Sequence, residues 1–436
     1  MVASVPGGRP PRASGSRATR PGAPGLAGGA GPAVAEHRVV VPLDHTDPSR
    51  GRIAVFAREI WDPARPDLPW LLFLHGGPGH ESTRPTWSPV SPPWLGRALR
   101  DYRVVLLDAR GTGLSSPIGS LTGPTADTTA AVLTRYRADA IVRDAELVRQ
   151  AICGDRSWSV LGESAGGFAL LTYLSTAPHA VAEAFFAGGL PPVGQSPDVV
   201  YRATHDGMRE RSARFYARYP GDRDRVARLH ALLADQTIVL PGGDRLTSRK
   251  VRQLGMLLGV AGGEQRLHFL LERDPTSAAF AHDVAAATPW SARDPLHTVL
   301  HESCWADGGV TAWSAQRTLP ADYDSDATLW TGEHVYPWML DPVDGYQDLR
   351  PWQGIAEDLA AHHWPRLYDE AQLRACAVPC AAVIYADDAY VPAALSRRTA
   401  HLIPGMRVWD DPTHQHDGLD VDGGAILDCL ITMIRS

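Results

Sequence analysis

The amino-acid sequence predicts an α/β protein built on a mostly parallel, doubly wound sheet, and three observations carry that expectation. Four short, continuously apolar runs each lead into a polar or glycine-rich turn: WLLFLHGG at 70–77, YRVVLLDARGTG at 102–113, SWSVLGESAGG at 157–167 and CAAVIYADD at 380–388. Strands buried on both faces of a parallel sheet read in this way. The stretch ADAIVRDAELVRQAICG at 138–154 places apolar residues at helical spacing and stops at Gly154, a glycine suited to ending a helix. Strand, polar turn, helix and strand therefore follow one another as in βαβ units.

Upstream, HRVVVPLDHTDP at 37–48 and GRIAVFAREIWDP at 51–63 read as two further strands joined by a turn rich in Asp, Pro and Gly. Residues 1–35 are rich in Gly, Pro, Ala, Ser and Arg and nearly lack large apolar side chains. Such a segment buries too little surface to offset its ordering entropy, so a disordered tail is expected there. The first part of the sheet core is expected over 36–191 and the second over 371–436. Between them, 192–370 reads as an inserted helical cap, with helix-like stretches such as DRVARLHALLAD. It holds seven of the thirteen tryptophans: Trp290, Trp305, Trp313, Trp330, Trp338, Trp352 and Trp364.

Composition narrows the function. Of the 436 residues 44% are hydrophobic and 21% charged, ordinary values for a globular chain with a large core. Lys and Arg number 42 against 49 Asp and Glu, a net charge of −7 that gives no basic footprint for nucleic acid. The five cysteines are odd in number and form no CxxC pair. A disulfide framework is not expected, and a reducing cytoplasm is the expected location. Cys376 and Cys380 have no second ligand pair at metal spacing and read as small buried hydrophobes. No membrane-spanning run and no secretory h-region is evident, so no membrane partner is expected.

The chemistry begins at Gly162-Glu163-Ser164-Ala165-Gly166, a GxSxG that follows the apolar strand WSVL and precedes the helical run FALLTYLS. That context makes Ser164 the expected nucleophile of an α/β-hydrolase fold. Its partners should follow in the order acid, then histidine. Asp387 and Asp388 end the fourth apolar run, and adjacent residues point in different directions, so one of the two faces the site; Asp388 is preferred. His414 and His416 follow the short strand MRVWDD, and His416, the last histidine of the chain, is the preferred base. The oxyanion hole needs two backbone N–H groups, assigned to Ala165 and to Gly77 in the loop His75-Gly76-Gly77-Pro78-Gly79. That loop lacks the GKS/T ending of a phosphate-binding loop. The reading requires no metal and no cofactor.

HGGPG at 75–79, LDARGTGLSSP at 107–117, GESAGGF at 162–168 and QHDGL at 415–419 together resemble the longer type of proline iminopeptidases, or prolyl aminopeptidases. LHESCWADG at 300–308 and GEHVYPWM at 332–339 are similar to motifs of that family's cap. The resemblance extends over nearly all of 36–436. It implies release of an N-terminal residue, preferentially proline, from short peptides or aminoacyl amides. It also implies that Glu302 and Glu333 hold the substrate's free amino group, through charge-assisted hydrogen bonds. Nearby tryptophans would line a slot for a pyrrolidine ring. LDAR stands where the family usually carries LDQR, so Ala109 supplies no side-chain amide. GESAGG around the serine is closer to esterases. The alternative is an esterase, amidase or lactonase of the same fold acting on a small secondary metabolite.

Overall fold

The computed structural model describes residues 17–20 and 31–436. Most of the stretch expected to be a disordered tail lies outside the described residues. Within it, Arg17–Arg20 pairs antiparallel with a strand that begins at Ala33.

Among the described residues eleven strands run β1 (Arg17–Arg20), β2 (Ala33–Pro42), β3 (Arg52–Trp61), β4 (Trp70–Leu74), β5 (Thr86–Trp87), β6 (Val90–Ser91), β7 (Arg103–Leu107), β8 (Trp158–Glu163), β9 (Val181–Ala187), β10 (Cys380–Tyr385) and β11 (Arg407–Asp411). Nine form one sheet in the order β1-β2-β3-β7-β4-β8-β9-β10-β11, and β5 pairs with β6 apart from it. From β7 to β11 every neighbouring pair is parallel, while β1, β2 and β3 form an antiparallel edge. The four apolar runs are β4, β7, β8 and β10, all in the parallel part.

Those runs are apolar throughout because the sheet is covered twice. Leu72, Leu74, Val105, Val160 and Ile384 face a core closed by helices Ala138–Cys153 and Ala165–Thr176. Their neighbours Leu71, Phe73, Val104, Leu161 and Val383 face the opposite core, closed by helix Gly418–Arg435. Successive side chains alternate between the two faces, so each strand residue needs an apolar side chain.

The long connection from β9 to β10 is helical and carries its own core around Phe215, Leu229, Leu254 and Trp330. A second cluster joins this connection to the sheet unit, with Trp290, Trp305, Tyr336, Trp352 and Trp364 packed towards Tyr136 and Phe168. Five of the seven tryptophans of this region are buried, and Trp313 and Trp338 are partly so. No helix among the described residues is long and apolar enough to cross a membrane.

Candidate active site

Ser164 sits between β8 and helix Ala165–Thr176 with φ 49° and ψ −125°. A non-glycine residue at positive φ is strained, typically by about 1–3 kcal/mol. The surroundings impose it. A Cβ on Gly162 would lie 2.7 Å from the Gly166 carbonyl oxygen, and one on Gly166 would collide with the Leu74 carbonyl. One on Gly167 would collide with the Gly189 carbonyl. Strand, turn and helix thus approach closely enough to lift the serine out of the chain path at the carboxyl edge of the sheet.

Two loops from the same edge complete a hydrogen-bonded chain. Asp388, three residues past β10, accepts from the Tyr390 and Val391 N–H groups at 2.8 and 2.9 Å through Oδ1. Its Oδ2 accepts from His416 Nδ1 at 2.8 Å. With that ring nitrogen donating, Nε2 is the acceptor for the Ser164 hydroxyl, 2.9 Å away. The neighbouring alternatives are engaged elsewhere. Asp387 turns to Arg211 and Arg214 of helix Pro197–Arg218, at 2.9 and 2.8 Å. His414 binds Asp411 through Nδ1 at 2.6 Å. The structure therefore brings Ser164, Asp388 and His416 together and leaves Asp387 and His414 out. Burial alone would make His416 less basic, but the carboxylates of Asp388, Glu333 and Glu163 outweigh it and raise its pKa to about 9.

Ala165 opens the helix, so its N–H has no intrahelical acceptor. Among the described residues no acceptor is found for it or for the Gly77 N–H. Both belong to segments pressed against Ser164: a Cβ on Gly76 would lie 3.0 Å from the Ser164 Cβ. Gly77 has φ +135° and Gly79 φ +81°, conformations that favour glycine. A cavity lined by Gly76, Ala109, Tyr136, Ala165, Phe168 and Cys304 adjoins these groups.

The DARG segment braces this edge. Asp108 accepts both guanidinium N–H groups of Arg84, at 3.0 and 2.7 Å, and the Leu114 N–H at 2.9 Å. Arg110 is wholly buried, pairs with Asp144 at 2.6 and 2.5 Å, and donates to the Pro42, Leu43 and Arg135 carbonyls. Ala109 between them lines the cavity.

The two glutamates of the inserted segment differ. Glu302 is buried; its Oε1 accepts from the Ala315 N–H at 2.8 Å, and its Oε2 has no partner. It lines a separate small cavity with Trp313 and Trp364. Glu333 is partly buried, with Oε1 3.8 Å from His297 Nε2. Burial raises the pKa of each carboxyl to about 7; for Glu333 the charges of His416 and Asp388 also act on it, and for Glu302 the hydrogen bond from Ala315 acts. Glu333 is thus the one placed in the field of the Ser164–His416–Asp388 chain. Sequence reasoning missed Tyr390, whose ring meets His416 edge-on at 4.9 Å, and the histidines beside Glu333. The His297–His301 spacing of one helical turn was the available signal for the latter.

A nine-stranded, doubly covered sheet with a strained serine at its carboxyl edge, hydrogen-bonded to histidine and aspartate, defines a hydrolase of the α/β class. The sequence profile of the alpha/beta hydrolase fold matches residues 69–422. The chain is 38% identical to a proline iminopeptidase of Aeromonas sobria over 417 residues, covering 92% of this chain and 96% of that one. It is 32% identical to a proline iminopeptidase of Aspergillus aculeatus, covering 91% and 93%. The chain belongs to the α/β-hydrolase family, and within it to the proline iminopeptidases.

Proposed function

We propose that this chain is a serine aminopeptidase that releases an N-terminal residue, preferentially proline, from short peptides. Ser164 Oγ attacks the carbonyl carbon of the N-terminal residue while His416 Nε2 takes the hydroxyl proton. The Gly77 and Ala165 N–H groups stabilise the negative oxygen of the tetrahedral intermediate. His416 returns the proton to the leaving amine, the C–N bond breaks, and an acyl-enzyme remains. Water, deprotonated by His416, then releases the free amino acid. Asp388 holds His416 in the tautomer this requires and stabilises its charged form.

The observation that carries the exopeptidase reading is Glu333, a partly buried carboxylate 3.8 Å from His297, which in turn hydrogen-bonds the Pro78 carbonyl of the Gly77 loop. A carboxylate beside the nucleophile favours a substrate whose ammonium lies one residue from the scissile carbonyl. Glu302, engaged by Ala315 and lining a separate cavity, keeps one unpartnered oxygen. All five cysteines are free thiols, which fits a reducing compartment such as the cytoplasm. The substrate class is a short peptide or aminoacyl amide.

The test compares proline β-naphthylamide with its N-acylated form. Cleavage of the free-amine substrate alone is expected; equal cleavage of both would refute amine recognition.

A further inference from the structure

His297 and His301 are four residues apart across the helical turn Pro295–Val299 and the residues that follow, so their rings share one side. Glu333 reaches them from a loop more than thirty residues on, and one donor atom from each of the three lies within 4.8 Å of the others. Tetrahedral ligands at about 2.1 Å from a zinc ion stand roughly 3.4 Å apart, so side-chain shifts of about 1 Å close the set.

The distal contacts are those of oriented metal ligands. His297 Nδ1 donates to the Pro78 carbonyl at 3.2 Å, and His301 Nε2 donates to the Glu333 carbonyl at 3.1 Å. Backbone acceptors of this kind fix the tautomer and aim of ligating imidazoles. With Nδ1 donating, His297 presents a lone pair from Nε2 to Glu333 Oε1 at 3.8 Å, an acceptor facing an acceptor. His301 is buried, and its Nδ1 has no hydrogen-bond partner. A cation among the three satisfies the facing lone pairs of His297 and Glu333. Trp290 holds the rings, stacked on His297 at 5.0 Å and edge-on to His301 at 5.9 Å.

We propose that His297, His301 and Glu333 form a binding site for a divalent metal of the zinc type, and that its occupation inhibits the enzyme by withdrawing Glu333 from the substrate's ammonium. The donor set of two imidazoles and a carboxylate is one that zinc accepts, with a fourth position open. Nothing in the acyl-transfer steps uses this ion. The inhibitory half rests on the amine-binding reading of Glu333; the coordination half does not.

The test is calorimetric titration of Zn²⁺ into the full chain carrying Ser164→Ala, repeated with His301→Ala and with the near-isosteric Glu333→Gln. One equivalent is expected, weakened at least about tenfold by either added substitution. Co²⁺ in place of Zn²⁺ should give the visible bands of a low-symmetry site. No saturable binding, or equal binding in both variants, would overturn the site. In the unsubstituted enzyme Zn²⁺ should raise KM for proline β-naphthylamide at constant kcat, reversibly with a chelator. Stoichiometric binding at these residues with KM unchanged would overturn the inhibitory role and count against Glu333 as amine acceptor, while upholding the coordination.

Discussion

At the carboxyl edge of the sheet, Ser164 is positioned by contacts that leave no space for a single added carbon at Gly162, Gly166 or Gly167. The inserted helical segment carries Glu302 at the start of the 3₁₀ turn Glu302–Trp305 and Glu333 on a loop, both fixed by aromatic packing and a few polar contacts. Ser164 is therefore set by local backbone geometry, and the two glutamates by tertiary packing. Acyl-transfer chemistry tolerates little variation at the edge, whereas the insertion is free to change what is recognised without disturbing it.

Substitutions on the two sides should separate cleanly. The largest effect belongs to the edge: Ser164→Ala should lower kcat by roughly 10⁶-fold, with far-UV circular dichroism unchanged. Arg110→Ala should come next, as a loss of stability. Removing one partner of a buried ion pair costs about 3–5 kcal/mol, and Asp144 would be left buried without its cation. Urea denaturation would measure it, and a loss under 1 kcal/mol would show that the brace is not structural.

On the insertion, Glu333→Gln should reduce kcat/KM for free-amine substrates by about 1.5–3 kcal/mol, the scale of a charged hydrogen bond. Neutral ester turnover should barely change. Because the Glu333 pKa is raised to about 7, its carboxyl is neutral below that pH and charged above it. The kcat/KM for prolyl substrates should therefore fall as pH drops through about 7. His416, with its pKa raised to about 9, becomes an effective base only towards alkaline pH, which adds a second rise. Glu333→Gln should abolish the step near neutrality and move the alkaline one to lower pH, because the Glu333 charge helps raise His416; a pH–rate profile unchanged by the substitution would remove Glu333 from amine binding. Smallest of all, Arg214→Ala breaks a half-exposed ion pair to Asp387 and should cost less than about 1 kcal/mol in thermal stability.

What the sequence made legible follows the same division. The strands β4, β7, β8 and β10 and the turn around Ser164 are local patterns: apolar runs, glycines and a serine at fixed spacing. The preference for Asp388 over Asp387 could not be settled locally, since both follow the same strand. Arg211 and Arg214, far upstream, engage Asp387. Likewise His414 is engaged by Asp411 at the end of β11, and only the assembled sheet edge carries His416 to Ser164. Glu302 and Glu333 looked equivalent as motif residues. Nothing in their neighbours foretold that Ala315 would take one oxygen of Glu302, and the one-turn spacing of His297 and His301 did not say that they would gather at Glu333.

Asp387 and Asp388 are joined by one peptide bond, yet one grips helix Pro197–Arg218 and the other aims the His416 imidazole. Arg211 also donates to the Asp387 carbonyl oxygen at 2.6 Å, so the grip is on the main chain as well as the side chain. A tilt of that helix would travel through a single rigid amide plane to the carboxylate beside His416. The linkage is a short lever, one that would register the posture of helix Pro197–Arg218 in the aim of His416.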